Sequence, residues 1–141
     1  DKKFKLEIFG NISDIFKLQN SNYINFSEYL PNNIIWEKFF LCDIVVFIDN
    51  AFGIQTPGKI FEVIASKKPV LFIYSDESTP AFSIAKTYPN IFFAENKKEN
   101  IISTLEIITR EAQSIYNIDV EMFDWRNRAK DFEKALFSIK G

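Results

Sequence analysis

The chain has 141 residues, 47% hydrophobic and 16% aromatic with sixteen Phe, and a formal net charge of −2. That length suits one hydrophobic core, the composition excludes a disordered chain, and the near-neutral charge gives no electrostatic reason to expect nucleic acid as a partner. With no His and a single Cys, Ser-His-Asp and Cys-His catalysis, the common His-based zinc sites and an internal disulfide are all excluded.

The N-terminus "DKKFKLEIFG" carries charges where a signal peptide needs apolar residues, and no run approaches the roughly 18 apolar residues of a membrane span. A cytoplasmic location is expected. Phe4 to Phe9 is a β-type run closed by Gly10-Asn11, and Ser13 starts a short helix to Gln19. Residues 22–26, "NYINF", form the next strand, and Ser27 to Asn33 turn the chain. Ile34, Ile35, Phe39 and Phe40 give Asn33 to Leu41 helical spacing. Cys42 lies in "FFLCDIVVF", where a thiol behaves as a small buried hydrophobe.

"DIVVFID" (43–49) is a continuous apolar run of the kind found in parallel strands buried on both faces. After it come a polar loop, a helix from about Pro57 to Ser66, and a second buried strand, "PVLFIY" (69–74). Pro80 to Thr87 reads as a helix and "NIFFA" (90–94) as the last strand. Ile101, Leu105, Ile108 and Ala112 predict a helix from Lys97 to about Tyr116, and Phe132, Ala135 and Leu136 a closing one. This alternation predicts a Rossmann-like α/β fold over 1–141: a parallel sheet with helices on both faces, the runs 44–48 and 69–73 adjacent and parallel.

In such a sheet, ligands bind beyond the carboxyl ends of the strands. The longest and most polar loop there ends in "TPGK". Thr56 suits an N-cap and Pro57 the first helical position. Gly58 leaves the backbone open to a ligand, Lys59 adds positive charge, and together they favour an anion. At about 100° per residue, Glu62 lies roughly one turn further on, where its carboxylate can accept two adjacent hydroxyls, as in a ribose.

The segment "DIVVFIDNAFGIQTPGKIFEVIASKKPVLFI" resembles the nucleotide-sugar signature in the C-terminal domain of GT-B fold glycosyltransferases, in particular the retaining group called family 4. The matching elements are Asp43, Lys59, Glu62, Ala65, Lys68, Pro69 and Val70. "FGN" at 9–11 and "FDWRNRAKDFEKAL" at 123–136 extend the resemblance over nearly the whole chain. It implies a donor-binding domain for a UDP- or GDP-linked sugar, one half of a GT-B fold, with no bound metal or cofactor. Glu62 would bind the ribose, the amides of Gly58 and Lys59 the diphosphate, Thr56 and Pro57 would lie near the sugar, and Tyr29 would stack on the base.

Lys59 would act catalytically by stabilising the charge on the leaving diphosphate. The glycan or lipid-linked acceptor would be held by a domain outside this sequence, which is read as a piece of a longer protein, peripheral at the inner face of the membrane. Two positions depart from the family pattern: Ile54 stands where many members carry a second Glu, and Lys67 where they carry Gly. Two alternatives stay open, a glycosyltransferase-like scaffold that has lost catalysis and a receiver-type signalling module with Asp49 at a strand end.

Overall fold

Short runs of β-branched and aromatic residues become strands, and the segments with apolar residues three and four apart become helices. The computed structural model describes residues 4–10, 22–50 and 56–138. The chain divides into two compact units, Asp1–Lys38 and Phe39–Gly141. The expected helix 13–19 and loop residues 51–55, Ile54 among them, lie outside the described residues.

In the first unit β1 (Leu6–Phe9) pairs in parallel with β2 (Ile24–Ser27), Leu6 opposite Ile24. Gly10 ends β1 with φ 140°, a conformation that requires glycine, and its N–H donates to the Ser27 carbonyl. Helix α1 (Asn32–Leu41), whose residues from Phe39 on belong to the second unit, begins after Pro31, whose carbonyl accepts the amides of Ile34 and Ile35. Lys38 approaches Glu7 at 3.5 Å and Lys5 does so at 3.3 Å; the Lys5 hydrogen bond, aided by Lys38, holds the Glu7 carboxyl below its ordinary range.

The second unit contains a three-stranded parallel sheet in the order β3 (Val45–Ile48), β4 (Val70–Tyr74), β5 (Ile91–Glu95). Parallel neighbours need a crossover. Helix α2 (Lys59–Ala65) supplies it between β3 and β4, and α3 (Pro80–Ala85) between β4 and β5. The runs 44–48 and 69–73 are thus adjacent and parallel, as the sequence predicts.

Helices cover both faces of this sheet. On one face Val45, Phe47, Val70, Phe72 and Ile91 pack with Ile60, Val63 and Ile64 of α2 and Ala81 and Ala85 of α3. On the other, Leu71, Ile73 and Ala94 pack with Ile108 of α4 (Lys98–Glu111). Phe47, Phe72 and Phe93 stand in register across the three strands, their neighbouring ring centroids 5.0 and 5.2 Å apart. Phe82 of α3 lies 4.6 Å from the Phe93 ring, closing an aromatic layer.

Two expectations are corrected. The run 43–49 is not buried on both faces: Val45 and Phe47 point into the core, whereas Val46 and Ile48 are exposed, Ile48 by 69%. β3 is the end strand of the sheet, and only β4, between two neighbours, is buried along both sides. The helix expected to reach Tyr116 stops at Glu111 because Ala112 is extended, after which the chain turns back over the sheet.

In that returning stretch the Tyr116 N–H donates to the Lys67 carbonyl, Ile118 enters the core and the Phe123 ring packs on Phe61 and Tyr88. A 3-10 turn (Glu121–Phe123) leads into α5 (Trp125–Ser138), along which Trp125, Phe132 and Phe137 are exposed. Among the described residues no helix is long and apolar enough to cross a membrane.

Candidate functional site

Helix α2 is anchored by an apolar stripe at spacings of three and four, in which Ile60 and Ile64 are fully buried and Val63 nearly so. That stripe fixes the rotation of the helix about its axis. Lys59 and Glu62 fall at its edge, one turn apart, and their side chains meet: Lys59 Nζ donates to Glu62 Oε2 at 2.9 Å. Both remain reachable from solvent, with 62% of the Lys59 side chain and 38% of the Glu62 side chain exposed.

The helix entry differs from the one expected. Thr56 is not its cap, and Pro57 is not its first residue. Gly58 occupies the N-cap position with φ −55° and ψ −30°, and no side chain caps the helix. The Ile60 N–H donates to the Pro57 carbonyl and the Phe61 N–H to that of Gly58, so the chain enters through a tight turn and the amides of Gly58 and Lys59 precede the helical ladder. With only seven residues, α2 carries few aligned peptide dipoles, and the Lys59 ammonium adds a full positive charge in its first turn.

Gly58 has two properties that bear on function. Its φ is one any residue adopts, and a Cβ built on it would meet no atom of the described residues within 4 Å. Among the described residues neither backbone geometry nor packing requires glycine here.

Thr56, Pro57, Gly58, Lys59 and Glu62 are therefore brought together on one entry turn, at the carboxyl end of β3. Tyr29 belongs to the first unit, in the turn between β2 and α1, and is 75% exposed. Among the described residues no group of three or more His, Cys, Asp or Glu side chains gathers as a metal centre. Cys42 is half-buried against the core, with its thiol donating to the Phe39 carbonyl at 3.3 Å.

Sequence reasoning missed a second polar pair at the same end of the sheet. Asp49 follows β3 and is only 7% exposed. Its Oδ2 accepts from the Thr79 hydroxyl at 2.5 Å and its Oδ1 from the Asn50 N–H at 2.9 Å. Buried Thr79 also caps α3: it is extended, its Oγ1 accepts from the Phe82 N–H, and Pro80 follows at the first helical position. The signal was available as Thr79-Pro80, the same dipeptide that was read as a cap at Thr56-Pro57.

Comparison with protein-family models, with curated proteins and with solved structures finds no match.

Proposed function

We propose that the chain is the donor-binding domain of a retaining GT-B glycosyltransferase, which transfers a hexose from a UDP- or GDP-linked donor to a cell-surface glycan or lipid-linked acceptor. The observation that carries this reading is Gly58, a glycine with ordinary φ and no atom of the described residues within 4 Å of a Cβ built on it, with a cation at Lys59 and a carboxylate at Glu62 in the turn that follows. The resemblance of residues 43–73 to the nucleotide-sugar signature supports it, as does the parallel β3-α2-β4 unit in which those residues lie.

In this reading the diphosphate lies against the backbone at Gly58, held by the amides of Gly58 and Lys59 and by the Lys59 ammonium. Glu62 accepts the two ribose hydroxyls. Glu62 is paired with Lys59, and an exposed pair at this spacing is worth only about 0.3–0.5 kcal/mol. Binding therefore exchanges it readily: Lys59 turns to the diphosphate and Glu62 is released to the ribose. When the bond from the anomeric carbon to the diphosphate oxygen breaks, negative charge grows on that oxygen, and Lys59 stabilises it as it forms. Thr56 and Pro57 face the sugar.

The scaffold alternative shares the ligand site and differs only in turnover. In the receiver-type alternative Asp49 would accept a phosphoryl group, and it would first have to give up its hydrogen bond from Thr79.

The test is calorimetric titration of UDP and GDP into the protein and into Glu62→Ala. Loss of charge-assisted hydrogen bonds to the ribose should weaken binding by about 1–3 kcal/mol with the circular dichroism spectrum unchanged. Equal affinities for the parent and the variant would remove the ribose assignment.

A further inference from the structure

Helix α5 is started by local contacts and left uncovered along its length. Asp124, extended just before it, caps its first turn: Oδ1 accepts from the Arg126 N–H at 2.8 Å, and the Asp124 carbonyl accepts from the Asn127 and Arg128 amides. Such a cap fixes where a helix begins. It does not by itself hold 14 residues helical in water, because helices of that length draw most of their stability from packing. Helices α2, α3 and α4 each place residues in the core. By contrast α5 packs chiefly on the 3-10 turn before it, and Trp125, Ala129 and Phe132 are all exposed, Trp125 by 86%.

These three residues are spaced four and then three apart, so they share one face and fall at the d, a and d positions of a heptad. Arg126 and Glu133 then take successive e positions along one border of that seam, and Arg128 and Ala135 the g positions along the other. Neither the Arg126 guanidinium nor the Glu133 carboxylate is ion-paired among the described residues. An apolar seam with a cation and an anion on the same border is complementary to a copy of itself turned end for end. In that antiparallel arrangement e positions face e positions and g positions face g positions. Arg126 of each copy meets Glu133 of the other, twice by the two-fold axis, while Arg128 meets Ala135 and no like charges are brought together. Ala129 then lies opposite Phe132, small against large. A parallel pair would instead set Phe on Phe and Ala on Ala, leaving a gap at the alanine layer.

We propose that α5 is a self-association surface through which two copies of this chain pair as antiparallel helices, with Trp125, Ala129 and Phe132 as the seam and Arg126–Glu133 as the pairs along its border. Buried aromatic side chains cover about 150–250 Å² each, so two Trp and two Phe account for about 600–1,000 Å². Stable interfaces bury about 1,200–2,000 Å². The pair is therefore weak and reversible, and it is governed by concentration. It does not depend on the donor-binding reading.

The experiment is sedimentation equilibrium of the full chain from about 10 µM to about 1 mM, the range of a weak complex, on the parent and on charge-reversed variants. The parent should show a monomer–dimer equilibrium, and Phe132→Ser should abolish it. Arg126→Glu sets like charges against each other at both borders and should weaken the dimer about tenfold, as should Glu133→Arg. The double variant Arg126→Glu/Glu133→Arg should dimerise like the parent. Arg128→Glu, which faces Ala135 in the antiparallel pair and Glu133 in a parallel one, should leave the dimer unchanged. None of these side chains enters the core, so urea midpoints measured at low concentration should agree for all variants. Failure of the double variant to recover, a dimer indifferent to Phe132→Ser, or weakening by Arg128→Glu as large as by Arg126→Glu would overturn the arrangement. A second arm adds phosphatidylglycerol vesicles to the parent. A parent monomeric at every concentration would overturn self-pairing and leave the stripe to a lipid surface where it sediments with the vesicles, or to another protein domain where it does not.

Discussion

At Lys67 the backbone has φ 59°, the left-handed conformation that follows the last turn of α2, where the Lys67 N–H donates to the Ile64 carbonyl. A residue with a Cβ is strained there, and helices commonly place glycine at this position. Replacement by glycine relieves the strain at some entropic cost in the unfolded chain, so Lys67→Gly should stabilise the fold by about 1 kcal/mol, read from urea unfolding midpoints. A lower midpoint would show that the lysine side chain contributes more than its backbone strain costs. This strain was legible from the departure of Lys67 from the glycine of the resembling signature. The cap was legible only as a dipeptide: Thr-Pro occurs twice, and it caps a helix at Thr79 but not at Thr56. Gly58 enters the helix first in one case, and in the other Thr79 is extended and held by Asp49. The glycine after Thr56-Pro57 is a local difference, whereas the partner that settles Thr79 is 30 residues away.

Among the elements, β4 is the one on which both layers depend. Phe72 is fully buried and its ring meets Phe47, Phe82 and Phe93. Phe72→Ala should cost about 3–5 kcal/mol. Ile48→Thr on the exposed side of β3 should change stability by no more than about 0.5 kcal/mol. Denaturant titration of both variants checks the contrast, and comparable losses would mean that the outer side of β3 is covered. Tyr74, at the end of β4, has its phenol pKa raised, first by burial and then by its hydrogen bond to Glu77. The sign follows: a pKa raised in the folded state gives stability that is full below the unfolded value, about 10, and is lost as pH rises through the folded value. The stability gap between the parent and Tyr74→Phe should therefore shift against the parent as pH is raised past 10. A gap that stays constant to pH 11 would contradict the assigned cause. Strand positions were legible because their apolar runs are short and bounded by turn residues. The one-sided burial of β3 was not, since a run of apolar residues looks the same in an end strand as in a central one.

For the whole molecule, the alternation of strand and helix patterns was enough to give a parallel α/β architecture with helices on both faces of the larger sheet. The division after Lys38 was not legible, because no linker composition marks it. The candidate site was legible in its residues, Thr56 to Glu62, and only partly in its state: the i,i+3 spacing permits a Lys59–Glu62 pair, but the 2.9 Å contact depends on the rotamers of both side chains. It was also not legible that Gly58 has ordinary φ and, among the described residues, no atom within 4 Å of a Cβ built on it. That freedom makes the central claim directly testable, because Gly58→Ala separates fold from ligand. Alanine at a helix entry with ordinary φ and open space should leave stability unchanged or raise it by up to about 1 kcal/mol. The same methyl group should obstruct a diphosphate resting on the backbone. The measurement is calorimetric affinity for UDP and GDP alongside the urea midpoint, on the parent and Gly58→Ala. The account predicts that affinity falls about tenfold or more, an energy of about 1.4 kcal/mol, while the midpoint holds or rises; unchanged affinity in the variant, or no binding to the parent, would contradict it.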